Sequence, residues 1–466
     1  MPRLSLRSCA ALAAVLVAGC ALSAPPEQAA VVKAALPDST VIPATWRAPA
    51  DTDSVSGGWL ASFNDPGLTA VVTEAVTNNL DLRAAAGRVD VARQSVGIVS
   101  AKLKPQVGLN VGGSVVKDAD QPEAFTAGQG VVGASWEIDI WGKVRAQKAA
   151  SVAGYNAAAL QYAWARQSLA ALTAKAWYLA VETRQLLSLS ERSVLNYSQL
   201  LELVQLRRAA GKVSDLDVAE ASAKLNTAQS QLRAAQADYA DARRVLEVLL
   251  GRYPSAELAV ADSFAPVPPP VAAGIPSSLL SRRPDVASQE QAVLAAFRSE
   301  ESARLALLPS FGLTLSGGKL SDGLLSLLNL NPWMVGGAIG MLVPIYQGGA
   351  LRAQVRVATA QQEVQVARYG AVLLRAFAEV ERALTNELLL AERLLAERAA
   401  LVNRTDAVRI AMLKYRAGGI DLLSVIELQT SQLATEATVI QLENARLATR
   451  IDLYLALGGD FNHAPS

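Results

Sequence analysis

The sequence predicts a mixed fold, in which strands of a membrane β-barrel and long α-helical hairpins belong to one internally duplicated unit. Three observations predict it. Two proline-free stretches are far longer than a globular helix needs. Short alternating segments stand just before each of them. The two halves of the chain also correspond position by position.

The helices come first. From Lys143 to Tyr253 there is no proline, and Ala, Leu, Gln, Arg and Glu dominate, all good helix formers. The one interruption with turn character is "AAGKVSDLD", Ala209 to Asp217, where Gly211 suits a helix C-cap and Ser214 the next N-cap. The hairpin over 143–250 thus holds a helix of roughly 65 residues, a tight turn and a returning helix of roughly 35. At ~1.5 Å rise per residue the first helix is on the order of 100 Å long, whereas globular helices average about 11–12 residues. Between Pro344 and Pro465 the plan recurs as a hairpin over 349–457, turning at "YRAGGIDLLS", Tyr415 to Ser424. Gly418 and Gly419 end one helix and Asp421 can cap the next. In the returning helix Leu422, Ile426, Leu433, Ala437, Ile440, Leu447, Ile451 and Tyr454 form a seam for coiled-coil-like packing.

Each long helix is preceded by two strand-like segments of about ten residues. In the first half, Val107, Leu109, Val111 and Val115 alternate with Gly108, Asn110, Gly112 and Ser114, giving strands at 106–117 and 129–140. In the second, strands fall at 310–318 and 335–346. A soluble hairpin packed on a core gives a similar alternation. Trp136, Trp141, Trp333 and Tyr346 at or near the strand ends favour barrel strands, as an aromatic girdle would. Four strands cannot close a membrane barrel, because each unmet backbone group in lipid costs several kcal/mol. Either the strands lie outside a membrane or several chains pool them in a ring.

The strand-helix junction reads "WEIDIWGKVRAQ", Trp136 to Gln147. Trp136, Ile138 and Ile140 are expected to face lipid or its interface, Glu137 and Asp139 the water-filled interior, and Gly142 to absorb the bend. The second junction, "VPIYQGGALRAQ", Val343 to Gln354, repeats the crossing with Pro344, Gly348 and Gly349 but without acids.

At a constant shift Gly142, Arg145, Gly211, Leu216, Val218 and Glu220 fall on Gly349, Arg352, Gly418, Leu423, Val425 and Glu427. "KPQVGLNVGG", from Lys104, matches "LPSFGLTLSG", from Leu308. The repeats span 57–263 and 277–459, joined by a Pro-rich linker, 264–276, and followed by a tail, 460–466.

The N-terminus reads as a signal peptide, 1–19, ending in "LVAG" before Cys20. It resembles a bacterial lipobox, which implies cleavage before Cys20, acyl chains such as palmitate on that cysteine, and, with Ala21 next, sorting to the outer membrane. An ordinary signal peptide with a chance cysteine is the other reading. Cys9 would leave with the signal, so no disulfide is possible. Residues 20–56 read as an extended tether.

Composition excludes other classes. A net charge of +1 without positive runs argues against nucleic acid. The single histidine, His463, lies in the tail, and no metal-ligand spacing, phosphate loop or nucleophile elbow occurs, so neither a cofactor nor an enzyme is expected. A different class fits the rods and the anchor: a lipid-anchored periplasmic coiled-coil adaptor or spacer without a pore. The strand segments argue against it.

The lipobox, "WEIDIWGKVRAQ", "RRPDVASQE" (Arg282 to Glu290), "LPSFGL" and the two glycine tips, in this order on a duplicated unit, resemble the TolC-like outer membrane factors, particularly the NodT/OprM-type lipoprotein branch. The resemblance implies a homotrimer with four strands per chain in one twelve-stranded outer membrane barrel, and a hollow helical barrel crossing the periplasm. It also implies a periplasmic adaptor and an inner-membrane pump, often of the resistance–nodulation–division class, at the far end. The hairpin tips would form the gate. Asp215, Asp217 and Glu220 on the first tip and Asp421 and Glu427 on the second are gate candidates; each acid also suits the positive end of its helix. Glu427 falls where the family carries a gate aspartate, and Ser424 departs from another. Arg208 and Arg416 are candidate partners of these acids. Leu216 and Leu423 are apolar plugs, adaptor contacts or simple packing.

Overall fold

A computed structural model describes residues 22–51, 53, 57–116, 125–321 and 334–461. Cys20, Trp333 and His463 lie outside the described residues. Helices α1 (Gln28–Ala35), α2 (Trp59–Ser62), α3 (Pro66–Asn78) and α4 (Leu80–Ala101) precede strands β1 (Gln106–Val116) and β2 (Phe125–Ile138). The first hairpin is α5 (Lys143–Ala209) and α6 (Asp215–Leu249). A short helix α7 (Leu279–Arg282) then leads to α8 (Pro284–Leu305), β3 (Ser310–Ser321) and β4 (Met334–Leu342). The second hairpin is α9 (Ala350–Ala417) and α10 (Leu422–Ala456). Among the described residues no helix is apolar enough over a sufficient length to cross a membrane.

Two compact units are assembled from interleaved segments. The first draws on the described part of Met1–Thr40 with Gly87–Leu160 and Ala287–Val372; the second on Val41–Ala86, Gln161–Val286 and Leu373–Ser466.

The first unit carries the sheet, in the order β1-β2-β3-β4 with every pair antiparallel. Residues directly opposite one another share a face. Trp136 stands opposite Leu313, and Leu313 opposite Ile339; Ala134 stands opposite Val107 and Leu315. One face therefore collects Val107, Leu109 and Val111, Val132, Ala134 and Trp136, Phe311, Leu313 and Leu315, and Val335, Ile339 and Met341. The other collects Asn110, Ser114, Ser135, Glu137, Thr314, Ser316 and Ala338, among glycines. Val131 and the two ends of β4, Met334 and Leu342, are among its apolar members, and Lys319 is a charged member of the apolar face. The apolar face is not a core: Ile339 is 78% exposed and Leu109 69%. So much contiguous apolar surface marks contact with a membrane or a partner.

The strands differ in extent from the ranges read off the alternation. β2 begins at Phe125 and ends at Ile138, two residues early, because Asp139 turns away to serve the next helix. β4 stops at Leu342, since Pro344 has no N–H to continue the ladder. Residues 20–56 also hold more structure than an extended tether. Gln28–Ala35 is helical, with Val31 and Leu36 buried, and the indole N–H of Trp46 donates to the Ala273 carbonyl.

In the second unit a cluster built on Trp59, Phe63, Leu68, Val72, Trp177, Tyr178, Ile451 and Tyr454 packs α2 and α3 against α5 and α10. Two buried arginines fasten the irregular segments. Arg283 of the "RRPD" stretch bridges Asp285 and Glu379 at 2.7 Å each, donates to the Ala456 carbonyl and lies 4.8 Å over the Trp164 ring. Arg450 pairs with Glu387 and donates to the carbonyls of Pro268, at 2.6 Å, and Pro269, holding the Pro-rich linker.

Candidate functional site

The first candidate region is the strand-helix crossing. At the end of β2, both carboxylate oxygens of Asp139 accept 2.9 Å hydrogen bonds from the backbone N–H groups of Val144 and Arg145, and the Arg145 side chain joins them. These N–H groups open α5 and have no partner within the helix. Asp139 therefore caps α5 and does not line the interior, and Ile140 lies outside the strand; both are corrections to the alternating reading of "WEIDIW". Glu137 remains on the polar face, 2.5 Å from Lys143. Gly142 makes the bend at φ +86°, a conformation that L side chains rarely adopt. Gly142→Ala is expected to cost about 1–2 kcal/mol, read as a lowered thermal transition of the purified protein.

The aromatics act here as fasteners. The Trp136 indole donates to the Leu103 carbonyl at 3.1 Å, and the Trp141 indole to the Pro309 carbonyl at 2.7 Å. Each ties a crossing to the loop that feeds a neighbouring strand. At the second crossing no acid caps α9. Gly348 and Gly349, at φ +61° and +85°, turn the chain, Pro344 interrupts the ladder, and Tyr346 is exposed.

The second candidate region is the pair of hairpin tips. Lys212 N–H and Gly211 N–H close α5 onto the Arg207 and Arg208 carbonyls, and Ser214 forms a capping box with Asp217. At the other tip, Gly418 and Gly419 N–H groups close α9, and the Asp421 carboxylate accepts from Ser424 N–H at 2.7 Å. Arg208 grips Asp215 through two hydrogen bonds of 2.6 and 3.1 Å. The guanidinium holds the Asp215 carboxyl below the usual carboxylate range, and the Ser424 N–H does the same for Asp421.

Three of the five tip acids are thus engaged in local structure. Glu220 and Glu427, equivalent positions of the repeat, are exposed and have no ion pair among the described residues. Arg416 is exposed too; the partner of Asp215 is Arg208 alone of the two arginines. Leu216 and Leu423 point outward at 75% and 56% exposure, so neither is packed in its own tip.

One functional contact escaped the sequence reading. Arg207 lies 4.4 Å over the ring of Tyr415 and donates to its carbonyl, latching the two tips of one chain together. Beneath it Tyr197, Leu200, Val204, Leu422, Val425 and Ile426 form a shared core. Burial pushes the Tyr415 phenol up. The available signal was an arginine and a tyrosine each just ahead of a glycine turn.

The depressed carboxyls set the sign of the pH response. A carboxyl whose folded pKa lies below its unfolded value, about 3.9 for Asp, adds stability above that value and loses it as pH falls through the lower folded one. Amide exchange at the tips, corrected for its intrinsic pH dependence, is expected to stay constant between about pH 8 and pH 5. Protection is expected to fall only below the usual carboxylate range.

A sheet that turns apolar side chains outward on one face and polar ones on the other is suited to stand between lipid and water, and the class it defines is a membrane channel. Residues 71–252 and 275–459 match the outer membrane efflux protein family, and the chain belongs to it. The two matched segments are the two halves of the duplication. The chain is 31% identical to the pyoverdine export outer membrane protein OpmQ of Pseudomonas aeruginosa, over 98% of this chain and 97% of that one. It is 29% identical to the cation efflux system protein CusC of Escherichia coli, over 87% and 88%. It superposes on the open state of the Neisseria gonorrhoeae MtrE outer membrane channel with a TM-score of 0.81 at 25% identity, covering 94% of this chain and 99% of that one. The protein is an outer membrane efflux channel of the TolC-like kind, a passive conduit and not an enzyme. The adaptor reading finds no support among these relatives.

Proposed function

We propose that three copies form the channel of a tripartite pump and that each contributes its four strands to one twelve-stranded barrel. The observation that carries this reading is the sheet, with an exposed apolar face and two open edges, β1 and β4. Open edges are not tolerated in lipid, and pairing β4 of one copy with β1 of the next removes them all. The apolar face then meets lipid and the polar face lines the lumen. A periplasmic adaptor and an inner-membrane pump, of the resistance–nodulation–division class, deliver the solute. OpmQ and CusC carry pyoverdine export and cation efflux in their names, and an exported small solute is the corresponding cargo here.

Acylation of Cys20 anchors each copy. Ser23, three residues on, is held at both ends: its N–H donates to Glu301 at 2.7 Å, and its carbonyl accepts from Arg298 at 2.8 Å. Leu22 packs at Gly142, the crossing itself.

The tips form the gate. Glu220 and Glu427 bring unneutralised charge from every copy toward one axis, where like charges resist close packing and attract cations. The Arg207–Tyr415 latch keeps the tips of each copy together. Heat-modifiable trimers in outer membrane fractions test the assembly; a monomer released by soluble periplasmic extraction overturns it. For the gate, Glu220→Gln with Glu427→Gln is expected to change the opening of the reconstituted channel, and unchanged opening removes these residues from that role.

A further inference from the structure

The polar face of the sheet ends in a basic cavity. About its roughly 570 Å³ stand Ser135, Glu137 and Thr314 of the strands, with Lys102 and Lys104 from the loop before β1 and Lys143 from the start of α5. Glu137 is the one carboxylate in the lining, and Lys143 already holds it at 2.5 Å. Asp139, the next acid in sequence, is occupied by Val144, Arg145 and the Arg145 side chain. Lys102 and Lys104 are exposed, and neither ammonium has an ion pair among the described residues. Two ammonium groups beside one polar wall repel each other unless solvent or an anion screens them.

We infer that this cavity is an anion-binding station in the channel lumen, taking small solutes that carry a carboxylate or phosphate group as they reach the strand-lined part of the conduit. The inference rests on the reading of the polar face as the lumen wall. An anionic lipid headgroup is the other source of such a group. Lipid belongs against the apolar face; Trp136, Phe311 and Leu313 of that face edge the cavity, while Ser135, Glu137 and Thr314 stand on the opposite one, and the lipid composition of the bilayer separates the two sources. Solvated lysines bind an anion weakly enough to release it, as a conduit requires.

The experiment uses the full-length protein in planar bilayers of zwitterionic lipid at low ionic strength, where screening is least. The chloride-over-potassium permeability ratio is read from the reversal potential in a KCl gradient. Lys102→Gln with Lys104→Gln is expected to lower that ratio about fivefold, the factor equivalent to about 1 kcal/mol of charge interaction in a water-like medium. Lys102→Arg with Lys104→Arg is expected to retain it. Inorganic phosphate is expected to reduce single-channel current in the wild type but not in the glutamine variant. An unchanged ratio and equal phosphate sensitivity in conducting glutamine channels overturn the inference. An effect confined to bilayers containing anionic lipid also overturns it, because the lysines then serve headgroups. A wild type that forms no conducting channel overturns instead the lumen reading beneath it.

Discussion

Ile339→Arg is expected to abolish the heat-modifiable assembly in outer membrane fractions, while Ala338→Lys, one residue earlier, leaves most of it intact. Ile339 lies midway along β4 on the apolar face, opposite Leu313, and is 78% exposed. If that face meets lipid, an arginine near the bilayer midplane costs about 2–4 kcal/mol in each copy, and every copy in the ring carries it. Ala338 pairs with Thr314 on the polar face, where a lysine reaches water. The contrast depends on the two-residue period alone. The opposite contrast would show that the faces have been assigned the wrong way round, and equal assembly of both variants that the apolar face does not meet lipid.

Arg450→Ala is expected to destabilise the protein by about 3–5 kcal/mol, the usual cost of removing one partner of a buried ion pair. The Arg450 side chain is 3% exposed and serves both Glu387 and the two proline carbonyls. Alanine leaves the carboxylate and both carbonyls without their donor and frees the linker between the repeats. Arg450→Lys keeps the charge but not the fork that reaches three acceptors, and falls in between. Urea unfolding of the purified protein, followed by tryptophan fluorescence, measures the loss. A variant as stable as the wild type would mean that the linker is held by its apolar contacts, Phe264, Val267 and Val271, without the arginine.

Local patterns were legible in the sequence because each is its own cause. Alternation makes a face, a glycine before Ser214 or Asp421 makes a turn, and absence of proline lets a helix run. The helical hairpins and the alternation of β1 follow from such rules. Asp139 did not, because an acid two places after Glu137 continues the alternation; its capping role exists only once Gly142 bends the chain. Arg450 reads as one more polar residue near the end of a helix, and its burial depends on where a linker some 180 residues earlier runs. The Arg207–Tyr415 latch joins residues 208 apart, and nothing in either tip alone announces it. Trp136 and Trp141 were recognised by place but not by partner: the carbonyls they bind belong to loops that only the sheet order brings near.

The open edges of the sheet have a genetic consequence. In a ring closed by β4-to-β1 pairing, one copy with a blocked edge breaks the circle for its neighbours as well. A proline placed in β1 to remove an outward N–H should therefore act dominantly. With equal amounts of normal and edge-blocked chains mixing at random in threefold rings, only about one ring in eight is free of a defective copy. Efflux should fall far below the half expected of a simple loss of dosage.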